Sequence, residues 1–175
     1  MLLHTHSKVI MWSLSGYHND AVKLVVEKSL RPRGLTGLYQ DNIDYSGEEI
    51  KKTFDVFADE TNYPIIIHCT QGKDRTGLLV FLLLLLTDAV PLDMIAADYA
   101  LSESELQKAE ASVATSEELR KMRIYISDNA STCLPDFVPI MKNHLDSVHG
   151  GLENYLLSIG VSRDQLEKIK KKLLA

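Results

Sequence analysis

Residues 64–77 read Pro64-Ile65-Ile66-Ile67-His68-Cys69-Thr70-Gln71-Gly72-Lys73-Asp74-Arg75-Thr76-Gly77. Three consecutive β-branched residues at 65–67 are typical of a short strand that is buried on both faces. Residues 78–86, LLVFLLLLL, indicate the first turns of a helix that is buried all round. The polar segment between them is therefore predicted to be a tight loop that joins a buried strand to the N-terminus of a buried helix.

Such a loop has the geometry of an anion-binding site. Its successive backbone N–H groups form a concave nest, and the helix dipole adds partial positive charge at the same point. Cys69 begins the loop, where both effects favour the thiolate over the thiol. Arg75, six residues later, closes the loop with a planar guanidinium that can hold two phosphate oxygens at once.

The other side chains of the loop fit the same chemistry. Gly72 lets the backbone turn without a clash, and Thr76 places a hydroxyl where it can donate to the Cys69 sulfur. His68 is expected to tune that sulfur through hydrogen bonds. The phosphate oxygens would be bound by the backbone N–H groups of Thr70, Gln71, Gly72, Lys73, Asp74 and Arg75. These groups together imply attack of sulfur on phosphorus, which gives a cysteinyl-phosphate that is hydrolysed in a second step.

The string HCTQGKDRTG at 68–77 resembles the phosphate-binding loop of the protein tyrosine phosphatase superfamily. Its GKDRTG form is similar to the microbial and fungal tyrosine/serine phosphatase branch, which has dual-specificity members and lipid phosphatases that act on phosphoinositides. The likeness runs from about Leu35 to Leu156 and includes GGLENYL at 150–156. It implies a cysteine-dependent protein phosphatase. The alternatives are a phosphoinositide phosphatase with the same mechanism, or a catalytically weak phosphate-binding module.

The fold that we expect is an α/β domain with a small, mostly parallel central sheet flanked by helices, and a C-terminal half that is mainly helical. Members of the family carry a longer N-terminal region with a strand that ends in Asp-Leu-Arg, and residues 1–34 contain no such string. The chain is either a shortened form or has a smaller sheet. We expect one phosphatase domain over 1–175 without that strand region, and an exposed sheet edge that favours a homodimer.

Cleavage of a phosphomonoester requires a proton for the leaving oxygen. Asp74 matches the Lys-Asp-Arg form of the family loop and is the first candidate for the general acid. Asp44 and Asp41 lie 25 and 28 residues before Cys69, near the spacing of a separate acid-bearing loop, although a Trp-Pro-Asp string is missing there. Residues 40–44 are also turn-like in composition. The choice among the three carboxylates stays open at this point.

Lys73 bears on the substrate. An extra cation beside Arg75 could bind a second phosphate, as on a phosphoinositide head group, or could lower the pKa of Cys69. The sequence leaves the preference among phosphotyrosine, phosphoserine or phosphothreonine, and phosphoinositides open. No cofactor and no metal are expected, because no group of His, Cys and Asp residues has metal-ligand spacing.

Composition narrows the class of protein. The chain has 175 residues, 45% hydrophobic and 25% charged residues and a net charge of −5, which fits one globular domain. The sequence has no basic stripe with interleaved aromatic residues, so nucleic-acid binding is not expected. The run at 78–86 is about half the length needed to span a bilayer, so stable membrane insertion is not expected. The expected partners are phosphorylated protein or phosphoinositide substrates.

Cysteine usage points to a compartment. The two cysteines, Cys69 and Cys133, are too few for a disulfide framework, and a reactive thiolate needs a reducing environment, so a cytoplasmic location is expected. Cys133 is interpreted as a half-buried bystander rather than as a resolving thiol.

Capping signals predict most of the helices. Ser46 and Glu49 form a capping-box pattern, as do Ser162 and Gln165, and Gly150 is typical of a C′ glycine. Helices are expected at 46–60, 76–88, 92–101, 115–126, up to 150 and after 162, and the charged segment 103–110 is either helix or loop.

Overall fold

The structure is a computed structural model that describes residues 11, 18–25, 27–28, 32–112 and 132–175. Helices are the main regular elements of this part of the chain, and a short 3-10 turn at Glu60–Asn62 precedes the loop. The helices are α1 (His18–Val25), α2 (Gly34–Tyr45), α3 (Gly47–Ala58), α4 (Asp74–Thr87), α5 (Leu92–Ser112), α6 (Phe137–His149), α7 (Leu152–Ser158) and α8 (Arg163–Leu173).

The predicted α/β fold with a small parallel sheet is wrong, because the described residues contain no strand. The segment 65–67 is irregular rather than a buried strand, and the side chain of Ile66 is 87% exposed. Ile65 and Ile67 pack on the core as partly buried residues. A strand needs neighbours for its N–H and C=O groups, and no described segment pairs with this one. The homodimer predicted through a sheet edge therefore loses its structural basis.

Helix α4 is confirmed close to its predicted bounds. It begins at Asp74 and ends at Thr87, and Asp88 stops it in the left-handed conformation with φ of 57°. The helix lies in the hydrophobic core, because most of its apolar side chains are buried: Leu78, Phe81, Leu82, Leu83 and Leu86. The helix packs against α5, α7 and α8, so the loop that precedes it is held by the core.

An aromatic cluster joins four helices. Phe137 of α6 stacks on Tyr99 of α5 with ring centroids 4.3 Å apart. Its ring also meets the edges of Tyr39 of α2 at 4.9 Å and Phe81 of α4 at 5.6 Å. All four side chains are buried. The hydroxyl groups of the two tyrosines are thereby fixed by packing.

The predicted helix signals have different outcomes. The capping box that opens α8 is confirmed, because Ser162 accepts from the Gln165 N–H at 3.3 Å and Gln165 accepts from the Ser162 N–H at 2.9 Å. Gly150 is confirmed as the C′ glycine of α6, with φ of 73°. Helix α3 starts where expected, but the Ser46 side chain makes no capping hydrogen bond, so that box is wrong.

Two further segments can be compared with their predictions. Helix α5 continues beyond its predicted end at 101 to Ser112. The charged segment 103–110 is therefore helical, which is one of its two predicted alternatives. The turn-like interpretation of 40–44 is wrong, because these residues lie inside α2. The helix predicted at 115–126 lies outside the described residues. None of the described helices is both long enough and apolar enough to cross a membrane.

Candidate active site

The site is built on the loop between the irregular segment 65–67 and α4. Gly72 turns the backbone with φ of 69°, a conformation that costs glycine little and other residues more. Helix α4 then begins at Asp74. Cys69, at the start of the loop, is half-buried, and its neighbours are the N–H groups that precede a helix. This arrangement favours an anion.

The surroundings of Cys69 make its thiol acidic. Burial alone would raise the pKa of Cys69, but hydrogen bonds outweigh it and lower the pKa from 9.0 to about 6. The donors are the hydroxyl and N–H of Thr76 and the N–H groups of Gln71 and Gly72. Cys69 is therefore mainly a thiolate at neutral pH.

Arg75 folds back across the loop. Its Nη2 donates to the Thr70 hydroxyl at 3.2 Å, and both side chains are exposed. His68 is exposed and Gln71 is half-buried. The guanidinium therefore has N–H donors directed to solvent beside the thiolate loop, where a phosphate could accept two of them.

Lys73 points inward, away from solvent. Its side chain is 1% exposed, and its Nζ pairs with Asp74 Oδ1 at 2.9 Å. The same nitrogen donates to the Thr132 carbonyl at 3.0 Å. A buried ammonium needs such partners to offset its lost hydration. This cation therefore links the loop to the segment before α6.

Asp74 is held by two tyrosines in series. Tyr39 donates its hydroxyl to Asp74 Oδ1, and the hydroxyls of Tyr39 and Tyr99 are 2.8 Å apart. Burial raises the pKa of Tyr39 far above its usual range and that of Tyr99 to about 12. Both phenols therefore stay protonated. The Asp74 side chain keeps 35% of its surface exposed, so the carboxylate is oriented yet accessible.

The two upstream carboxylates lie on α2 and have other partners. Asp41 pairs with Arg33 at 2.7 Å. Asp44 Oδ1 lies 2.8 Å from His144 Nε2 and 2.9 Å from His149 Nε2. Burial acts to raise the pKa of Asp44, but the two histidines outweigh it and lower that pKa. These contacts direct both carboxylates to residues outside the loop.

A cleft of about 330 Å³ opens beside the loop, a size typical of small-ligand sites. His68, Arg75 and Thr76 form its loop side, and Glu49 contributes a carboxylate. The other lining residues are Asn42, Ser46, Ile50, Thr53, Ile67, Leu78, Leu79 and Leu82. The cleft is thus mostly apolar, with the guanidinium at one side.

Cys133 is buried, with its Sγ donating to the Tyr99 carbonyl at 3.4 Å. Burial raises the pKa of Cys133. This thiol therefore has the opposite character to Cys69, and it is more buried than the half-buried residue that the sequence suggested.

Sequence reasoning missed the role of the tyrosines. Tyr39 and Tyr99 belong to none of the motifs described above, and only tertiary contacts bring the Tyr39 hydroxyl to Asp74 and the Tyr99 hydroxyl to Tyr39. One local signal exists: a Cβ on Gly77 would lie 2.7 Å from the Tyr99 ring. A glycine in the first turn of an apolar helix indicates such a close approach.

Comparison with known proteins shows similarity to one protein family. The tyrosine phosphatase family model matches residues 9–175. A tyrosine-protein phosphatase of Nostoc commune is 31% identical over 156 residues, which cover 81% of this chain and 50% of that protein. The triple specificity protein phosphatase PtpB of Mycobacterium tuberculosis is 27% identical over 124 residues, 63% of this chain and 44% of that protein.

A shorter match is to an inositol diphosphatase of Arabidopsis thaliana, 45% identical over 38 residues, which are 22% of this chain and 15% of that protein. The chain spans at most about half the length of these curated relatives. The family model, in contrast, covers nearly the whole chain. The chain belongs to the tyrosine phosphatase family.

Proposed function

We propose that the chain is a protein tyrosine/dual-specificity phosphatase that hydrolyses phosphomonoesters through a cysteinyl-phosphate on Cys69. The observation that carries this proposal is the acidic thiol, whose pKa is about 6, in a loop that Arg75 crosses. A thiolate, a nest of N–H donors and a guanidinium beside it are the groups needed for phosphoryl transfer to sulfur.

In the first step the Cys69 thiolate attacks phosphorus. A P–S bond forms while the P–O bond to the substrate breaks, and the leaving oxygen takes a proton. The N–H groups of the loop and the Arg75 guanidinium bind the remaining phosphoryl oxygens, where charge is concentrated in the transition state. In the second step water attacks phosphorus, the P–S bond breaks, and phosphate and the thiolate are released.

Asp74 is the general acid of this proposal. It is the accessible carboxylate in the loop, and Tyr39 and Lys73 fix its orientation. In its protonated form it gives its proton to the leaving oxygen, and in the ionised form that pairs with Lys73 it takes one from the attacking water. Asp41 and Asp44 are less suited because they lie on α2 and their partners, Arg33 and two histidines, are outside the loop.

An aryl phosphate on protein suits the cleft better than a polyphosphorylated head group does. The cleft is lined mostly by apolar side chains, and the Glu49 carboxylate in its wall would repel a second phosphate. Lys73 is buried and paired with Asp74, so its ammonium group is not available to bind a second phosphate. The phosphoinositide alternative is favoured by one observation, the 38-residue match to an inositol diphosphatase.

A reducing compartment such as the cytoplasm is part of the proposal, because an accessible thiolate of this acidity is readily oxidised.

The test is phosphate release from an aryl phosphate with a metal chelator present. The wild type should turn over, Cys69→Ser should not, and Asp74→Asn should lose about 10²–10⁴-fold in rate, the usual share of a general acid. Asp41→Asn is the matched control, because it makes the same change at a carboxylate that pairs with Arg33.

Other outcomes choose among the alternatives. Faster turnover of soluble phosphoinositides than of phosphotyrosine peptides would favour the lipid phosphatase. A wild type that binds vanadate without turnover would favour a phosphate-binding module and contradict the catalytic proposal.

A further inference from the structure

A second cluster of chemically active side chains lies apart from the loop. Asp44 is in the last turn of α2, and His144 and His149 lie on α6. The Nε2 atoms of both histidines approach the same oxygen, Asp44 Oδ1, at 2.8 and 2.9 Å. One ligand atom from each residue lies within 4.8 Å of the other two. Two ring nitrogens therefore face one carboxylate oxygen.

We propose that Asp44, His144 and His149 bind a divalent transition cation of the Zn²⁺ class. Two imidazole nitrogens and one carboxylate oxygen form a three-ligand set typical of zinc, with a fourth position left for water. Imidazole also favours the neighbouring first-row divalent cations.

The three ligand atoms must move to hold an ion. Ligand atoms around tetrahedral zinc lie about 3.3 Å apart when each bond is about 2.0–2.1 Å. The O···N separations of 2.8 and 2.9 Å must therefore widen by about 0.5 Å, and the two ring nitrogens, which lie within 4.8 Å of each other, must also come to about 3.3 Å. Side-chain rotation of partly exposed residues supplies such a shift.

The cluster is both accessible and supported. The side chains of His144, His149 and Asp44 are 11%, 21% and 26% exposed, so an ion can enter from solvent. The His149 ring lies edge-on to Tyr155 at 4.9 Å. Tyr155 in turn donates to the Ile43 carbonyl at 2.8 Å, one residue before Asp44. This packing keeps one imidazole near the end of α2, as a ligand set requires.

Charge at the site also favours a cation. Among the described residues, the ion-pair partners of Asp44 are the two histidines and no lysine or arginine. The carboxylate thus brings a negative charge that no permanent cation neutralises. The two segments are 100 residues apart along the chain, so local ligand spacing could not indicate this group.

A bound ion would join α2 to α6. It would stabilise the folded state, because a ligand that binds only the folded protein raises its melting temperature with concentration.

The experiment uses the tag-free chain in a Cys69→Ser background, which removes a thiolate that would itself bind zinc. Titration calorimetry with Zn²⁺ should show one equivalent per chain, and Co²⁺ should give a visible absorption band at the same stoichiometry. Thermal melts should shift upward with added Zn²⁺.

The test variant is His144→Gln/His149→Gln. Glutamine Nε2 can still donate to Asp44, so this variant keeps the hydrogen bonds while it removes both imidazoles. We expect the affinity for Zn²⁺ to fall by at least about 100-fold, more than the loss of an outer partner causes. His68→Gln is the matched control and should bind as its parent does. Circular dichroism without metal verifies folding.

Two results would overturn the proposal. One is the lack of Zn²⁺ and Co²⁺ binding in the parent, which needs no variant at all. The other is unchanged stoichiometry and affinity in the folded double variant. If the double variant does not fold, Asp44→Asn replaces it and must lower the affinity in the same way.

Discussion

Cys69 owes its acidity to donors that are near it in sequence. The Thr76 hydroxyl and the N–H groups of Gln71, Gly72 and Thr76 stabilise the thiolate against the opposing effect of burial. The Thr76 hydroxyl has the largest lowering effect on the pKa of Cys69, and the other three donors belong to the backbone and depend on the loop conformation. Gly72, with φ of 69°, is part of that conformation.

The pH dependence of alkylation should measure the lowered pKa of Cys69. In a Cys133→Ser background, iodoacetamide should modify Cys69 at a rate that rises with pH through a midpoint of about 6 and is flat above it, because only the thiolate reacts. Thr76→Val removes the hydroxyl donor and should move the midpoint upward. A wild-type midpoint near 9 would contradict the stabilised thiolate.

Tyr39→Phe tests the orientation of Asp74. The change removes the hydroxyl that donates to Asp74 Oδ1. We expect kcat to fall by about 10- to 150-fold with little change in KM, since one hydrogen bond to a charged group is worth about 1.5–3 kcal/mol. The KM-against-kcat split is measured by steady-state kinetics.

Tyr155→Phe is the matched control for that variant. Its buried hydroxyl donates to the Ile43 carbonyl at 2.8 Å, so its loss should cost stability but leave kcat unchanged. Equal effects of both changes on kcat would mean that Tyr39 acts through stability alone.

Between elements, the loop is fixed by a buried ion pair. Lys73 pairs with Asp74 at the start of α4 and donates to the Thr132 carbonyl ahead of α6. The aromatic cluster around Phe137 joins the same helices from within the core. The position of the loop is therefore set by contacts between elements that are distant in sequence.

Lys73→Met should show how much this pair contributes. The variant leaves a carboxylate and a carbonyl without their partner, so we expect a loss of about 2–4 kcal/mol in the free energy of unfolding, measured by urea denaturation.

Lys51→Met provides the control. Lys51 pairs with Asp55 at 2.7 Å, with 36% and 39% of the two side chains exposed, and such surface pairs contribute less than about 1 kcal/mol. Similar losses in the two variants would contradict a structural role for Lys73.

At the scale of the molecule, local signals predicted the helices and the loop. The apolar run after Gly77 predicted α4, and Ser162 with Gln165 predicted the start of α8, because caps and periodicity act within a few residues. The predicted sheet was wrong because a sheet depends on contacts that are distant in sequence. β-branched residues favour a half-buried, pleated surface, but a strand forms only where another strand pairs with it.

The candidate site shows the same difference between local and long-range signals. Cys69 and Arg75 could be proposed from one string because the roles proposed for them depend on the loop alone. The partners of Asp74, the burial of Lys73 and the meeting of Asp44 with two histidines depend on contacts over 35 to 105 residues. Such contacts leave no local pattern in the sequence.

The central claim is that phosphate passes through the sulfur of Cys69. The most direct measurement is acid quenching of the wild type during turnover of an aryl phosphate, followed by peptide mass spectrometry. We predict a phosphoryl group on Cys69, in the peptide that contains 68–77, and none on Cys133. Steady phosphate release with no phosphoryl group on Cys69 at any time, or unchanged release by Cys69→Ser, would contradict the account.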